Sequence, residues 1–178
     1  TTGSYSVAIG TSALSGCTTN HYNTAVGRTA LAAATGPHNT AVGYAAGSSA
    51  STAENNVLMG GSCGSNITTG SNNVCIGSSA ANSTVLLTTG VQNTVIGSNA
   101  RTSLNNAEAQ IVIGFNYTGN GDNKVNFGSN GGYVWNSFTV NNTWTQVSDE
   151  RTKKNIESDA LGLDFINKLR PVTFNWRH

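Results

Sequence analysis

Charge is nearly absent from most of this chain. Residues 1–147 carry only six charged side chains, Arg28, Glu54, Arg101, Glu108, Asp122 and Lys124. Such a stretch has no basic face for nucleic acid. Its three acids stand in separate segments and do not form the carboxylate pair that glycoside hydrolysis uses. Proline is limited to Pro37 and Pro171, and helical periodicity is missing before residue 155. No run of about 18 apolar residues is present, so no membrane-spanning helix or other membrane insertion is expected, and the residues from Thr1 do not read as a signal peptide. Nothing in the chain asks for a cofactor or a metal.

What is present is repetition. One phrase recurs eight times: Ser6-Val-Ala-Ile-Gly10, Asn23-Thr-Ala-Val-Gly27, Asn39-Thr-Ala-Val-Gly43, Asn56-Val-Leu-Met-Gly60, Asn73-Val-Cys-Ile-Gly77, Asn93-Thr-Val-Ile-Gly97, Gln110-Ile-Val-Ile-Gly114 and Lys124-Val-Asn-Phe-Gly128. Its glycines are spaced 17, 16, 17, 17, 20, 17 and 14 residues apart. A period this short is the mark of a solenoid, because one unit cannot bury its own apolar face and must stack on its neighbours. Each phrase reads as a short strand stopped at a tight turn by Gly10, Gly27, Gly43, Gly60, Gly77, Gly97, Gly114 or Gly128. Three residues later stands a small residue, Ala13, Ala30, Ala46, Cys63, Ala80 or Ala100, until Tyr117 and Gly131 break the rule. That offset predicts a second inward position, and so two very short strands per coil around a narrow interior. So slender a coil encloses little core, and trimerisation along the long axis is the expected support.

The pattern Asn-Thr-Ala-Val-Gly-x-x-Ala resembles the head repeats of trimeric autotransporter adhesins, which phage tail fibres also use. The resemblance spans roughly residues 4–128, is strong in the first six coils and weakens in the last two. It implies an all-β fold: a left-handed parallel β-roll solenoid of about eight coils, packed as a homotrimer. A generic single-chain β-helix is the alternative.

The cysteines and histidines do not suggest a site. Cys17, Cys63 and Cys75 occupy slots that other coils fill with small apolar residues, and buried cysteine behaves as a small hydrophobe. An odd count also leaves one outside any intrachain pairing. His21 and His38 fall in loops without a carboxylate or cysteine at ligand spacing. Gly119-Asn-Gly-Asp-Asn123 has a faint likeness to calcium-binding nonapeptide loops but occurs once and reads as a turn.

Composition then changes abruptly. The last 31 residues carry eleven charged side chains, which marks a module boundary near residue 148. Three segments are expected: 1–128 as the β-roll, 129–147 as an aromatic β stem or plug, and 148–178 as a different module. In the middle segment Trp135, Phe138 and Trp144 stand where the open end of a roll needs covering, since bare strand edges invite unwanted pairing. A sugar-binding platform is the rival reading of these aromatics.

From Ser148 the chain runs Ser-Asp-Glu-Arg-Thr-Lys-Lys-Asn-Ile156 and on to Leu-Arg-Pro-Val-Thr-Phe-Asn-Trp-Arg177. This is similar to the start of the C-terminal intramolecular chaperone of phage tailspikes, endosialidases and tail fibres, with Thr152 where an apolar residue is common. The resemblance implies a trimeric chaperone that assembles the fibre and then cuts the chain at Ser148-Asp149. Ser148 would be the nucleophile and Lys153 its base. A serine hydroxyl needs such a base, and lysine serves only if burial or neighbouring cations, here Arg151 and Lys154, lower its pKa. The plainer alternative is that Ser148 caps a turn before a solvated charge run. Further on, Ser158 reads as a helix cap, residues 160–169 as a short amphipathic helix, and residues 172–176 as a strand. Family members continue well past His178, so the chain is expected to carry only the first 30 or so residues of the module.

These readings converge on a structural and receptor-binding segment of a trimeric phage tail fibre in the virion. Its partners would be two further copies of the chain, other tail-fibre proteins and a host cell-surface receptor, with polysaccharide a candidate. No turnover enzyme is expected, only single-turnover autoproteolysis. The alternative from another class is the head of a bacterial surface adhesin at the cell surface, which would end in a coiled-coil stalk and membrane strands.

Overall fold

The computed structural model describes residues 5–18, 22–82, 84–140 and 145–146. The chain divides into two units, Thr1–Val147 and Ser148–His178, and every described residue belongs to the first. The helix and strand expected beyond Ser158, and Trp144, lie outside the described residues.

Each of the first six phrases contributes a strand of three residues: β1 (Val7–Ile9), β2 (Thr24–Val26), β3 (Thr40–Val42), β4 (Val57–Met59), β5 (Val74–Ile76) and β6 (Thr94–Ile96). The last two give longer ones, β7 (Ile111–Phe115) and β8 (Lys124–Ser129). All eight pair in sequence order and in parallel, with equivalent phrase positions opposite one another, as in Ala25↔Ala41 and Cys75↔Val95. The protein is therefore a parallel β-solenoid, and among the described residues there is no helix.

The second strand expected in each coil is not there. After each of the first five glycines the chain makes a run of turns in which alternate residues take positive φ, as at Thr29 (57°) and Leu31 (49°), or Ser79 (54°) and Ala81 (56°). Turn hydrogen bonds such as Ala34 N to Leu31 O (3.1 Å) tighten each coil, while Leu31 N donates to Ala46 O (3.0 Å) in the next one. Left-handed backbone is uncommon outside glycine. The coil-to-coil bonds, which leave few backbone groups unpaired, hold it there.

The interior is as narrow as the repeat predicts. The third residue of each phrase from Ala25 to Val112 is fully buried, and so are Ala30, Ala46, Cys63, Ala80 and Ala100. Size is traded between neighbouring coils. Leu31 fills the corner of the second coil, whereas glycine takes that place in the next two and Leu58 fills the space from the strand side. A Cβ at Gly47 would stand 2.6 Å from Leu58 Cδ1, and one at Gly64 would stand 2.8 Å from Leu58 Cδ2.

The solenoid ends in a change of sheet direction. β9 (Gly132–Ser137) turns back antiparallel along the whole of β8, and β10 (Thr145–Gln146) adds antiparallel to β9. The exposed edge of the last coil is thereby paired. Inside, Tyr117 replaces the alanine of earlier coils. Its ring occupies the space a side chain at Gly128 would need, 2.7 Å from the Cβ position, and packs against Tyr133 at 5.3 Å between centroids.

Candidate functional site

The first residue of each phrase builds the feature that holds the coils in register. Asn23, Asn39, Asn56, Asn73, Asn93 and Gln110 are all buried. The side-chain oxygen of each asparagine accepts the backbone N–H of its counterpart in the next coil, from Asn39 N to Asn23 Oδ1 at 2.8 Å through Gln110 N to Asn93 Oδ1 at 3.1 Å. The amide nitrogens also donate to backbone carbonyls of the next coil: Asn39 to Ala53 (2.8 Å), Asn56 to Gly70 (3.0 Å), Asn73 to Gly90 (2.9 Å) and Asn93 to Ala107 (2.7 Å). Asparagine suits the position because its carboxamide donates and accepts at once. Sequence reasoning passed over this column, although the recurrent Asn opening each phrase was its signal. Gln110 ends it: its longer side chain donates to Ser103 Oγ (2.6 Å) in the preceding loop and to Asp122 Oδ1 (2.8 Å) in the loop before the next phrase.

The phrase glycines form a second column. Gly10, Gly27, Gly43, Gly60, Gly77 and Gly97 have φ between 124° and 136°, and each closes the strand before it. A Cβ on Gly43 would lie 2.5 Å from the carbonyl oxygen of Gly60, and one on Gly60 equally close to that of Gly77. Close approach of coil to coil, as well as φ, therefore demands glycine here. Gly114 and Gly128 differ from the expected turn: they lie within β7 and β8, which run on past them. The longer strands allow β8 to carry the antiparallel cap.

Strand residues alternate in direction, so the second and fourth residues of each phrase face away from the core. They form a face of Val, Ile, Thr, Met and Phe, two side chains on each of eight strands, with no charged residue among them. Val7, Ile9, Met59, Ile76 and Phe127 are exposed and the others are half-buried. Seven steps at ordinary strand spacing make this face about 34 Å long. Uncharged sheet surface of that extent is unusual on a solvated molecule.

The three cysteines are buried. Cys63 donates its thiol to the carbonyl oxygen of Cys75 at 3.1 Å. The Cys75 thiol is pushed well up by its hydrogen bond with Cys63, with burial and the charge on Cys63 acting the same way. A thiol so held is protonated and inert, the opposite of a nucleophile. His38 is exposed but stacked on Tyr22, centroids 5.0 Å apart, and Tyr22 on Tyr5 at 5.4 Å. At the far end Lys124 Nζ sits 4.6 Å from the centre of the Trp135 ring, a cation–π contact within one sheet.

Ser148, Asp149 and Lys153 lie outside the described residues, as do Arg151 and Lys154. Comparison with known proteins bears on this segment. Residues 148–178 match the family described as the chaperone of endosialidase. No curated protein and no solved structure matches the chain. A parallel β-solenoid is thus followed, from Ser148, by a segment similar to an intramolecular chaperone.

Proposed function

We propose that this chain is a segment of a trimeric phage tail fibre that contributes to attachment at the host surface. Its chaperone assembles it and then detaches by cutting Ser148-Asp149. The observation that carries this reading is the juxtaposition of two features. A sparsely charged solenoid with one long uncharged sheet face is followed in the sequence by a chaperone-like segment beginning at Ser148. Three chains placing that face toward a common axis would remove it from water at about 25 cal/mol per Å² of apolar area. The narrow core of the single solenoid, in which half the residues are alanine, gives the trimer its reason.

In the cut, Lys153 takes the proton from Ser148 Oγ, and the oxygen attacks the carbonyl carbon of the Ser148-Asp149 bond. The C–N bond breaks as the lysine's proton passes to the departing amine, and water then hydrolyses the ester so formed. Hydrolysis consumes one water, leaving a carboxylate on Ser148 and a new amino group on Asp149. The lysine must be neutral to act, and the cations Arg151 and Lys154 lower its proton affinity in the assembled chaperone. The reaction occurs once per chain, because the chaperone departs with its product.

The test is a denaturing gel of four proteins carrying the complete chaperone. The unaltered chain and Lys154→Ala should appear in two pieces, and Ser148→Ala and Lys153→Ala intact. Cutting that persists in Ser148→Ala would assign the scission to another protease.

A further inference from the structure

The residue just before the opener of each of the first six phrases forms a column of its own: Tyr5, Tyr22, His38, Asn55, Asn72 and Gln92. All six are exposed, and all have φ between 57° and 64°. Asparagine and histidine are common side chains for this left-handed conformation, whereas tyrosine there is unusual. The fourth and fifth coils use asparagine, but the first three use Tyr, Tyr and His. Those rings fill no core, since Tyr5 is 79% exposed and Tyr22 53%. The same left-handed φ recurs at Ala109 (51°) and Asn123 (55°), so the conformation belongs to the repeat, and what is particular to the first three coils is the choice of a ring there.

The rings lie nearly parallel, at 6° and 4° between planes, one to each coil. Because stacked faces cover one another, the column meets solvent with ring edges and polar tips. The tips are phenol, imidazole and carboxamide groups, every one of which both donates and accepts in its neutral form. Without a formal charge, the column has little hold on a phosphate backbone. Its rungs repeat at 5.4 and 5.0 Å, close to the advance per sugar of an extended glycan, whose hydroxyls also donate and accept. The geometry points to this column as a binding site for an extended, uncharged glycan laid along the solenoid. It rests on the attachment role proposed above and gives that role a place and a ligand class.

The test is a printed array of neutral linear hexasaccharides, probed with the unaltered protein and with Tyr22→Gly/His38→Gly. Glycine adopts this φ without strain, so the variant keeps its fold and its oligomeric state, which sedimentation checks on the same samples. The unaltered protein should retain at least one neutral glycan. The variant should bind it about tenfold more weakly or less, the loss expected from removing two hydrogen-bonding tips and their aromatic backing. Failure of the unaltered protein to bind any neutral glycan, or equal binding by the variant, would overturn the site. Sedimentation and chain length on the same samples report trimerisation and the cut independently, so the two readings stand or fall separately.

Discussion

Asn56 serves both neighbouring coils. Its amide donates to Asn39 Oδ1 at 3.0 Å on one side and to Gly70 O at 3.0 Å on the other, while its oxygen accepts from Asn73 N at 2.9 Å. Truncation to alanine would strand buried donors and acceptors in both directions, each costing about 1–3 kcal/mol. Asn56→Ala should therefore lower stability by roughly 3 kcal/mol or more in chemical denaturation, with an exposed substitution such as Asn106→Ala nearly neutral. Tyr117 gives a second residue-scale prediction. Burial, and then the neighbouring Tyr133, push its phenol up to about 12 from 10.0. The folded chain holds that proton to higher pH than the unfolded chain does. Its contribution is therefore fully present below about pH 10 and is lost as pH rises toward 12. Absorbance titration should show one of the five tyrosines ionising last, and Tyr117→Phe should remove that late step.

At the scale of elements, much of the solenoid was legible. Strands β1 to β6 begin at the second residue of each phrase and stop at the glycine, because β-branched residues followed by an enforced positive φ leave little choice. The second strand was misread because left-handed turns at Leu31, Ala45 or Ser62 leave no composition mark. A recurring alanine fits a turn facing inward as well as a strand. Which apolar residue faces out was also obscured. Both the third and fourth positions are apolar, so alternation is hidden where one face meets the core and the other forms an apolar surface. The structure separates them: Cys75 points in and Ile76 out. Ile76 lies between Met59 and Ile96 on the neighbouring strands. Ile76→Glu changes nothing inside the coil, so the solenoid should still fold, with an unchanged far-ultraviolet spectrum. The substitution should nevertheless disperse the proposed trimer into single chains, since three like charges buried at its axis would have no partners.

For the whole molecule, the jump in charge near residue 148 was visible in the sequence. The distance from Ser148 to Lys153 was not, because a five-residue separation along the chain does not determine whether two side chains meet. That pairing rests on the motif, whereas the proposed trimer rests on the geometry of the solenoid itself. A core in which half the residues are alanine and one uncharged sheet face about 34 Å long are the observations behind the proposed trimer. Sedimentation equilibrium of the unaltered chain, across a hundredfold range of concentration, addresses this most directly. The predicted result is a single species of three chain masses that Ile76→Glu reduces to one, whereas a stable monomer throughout would contradict the account.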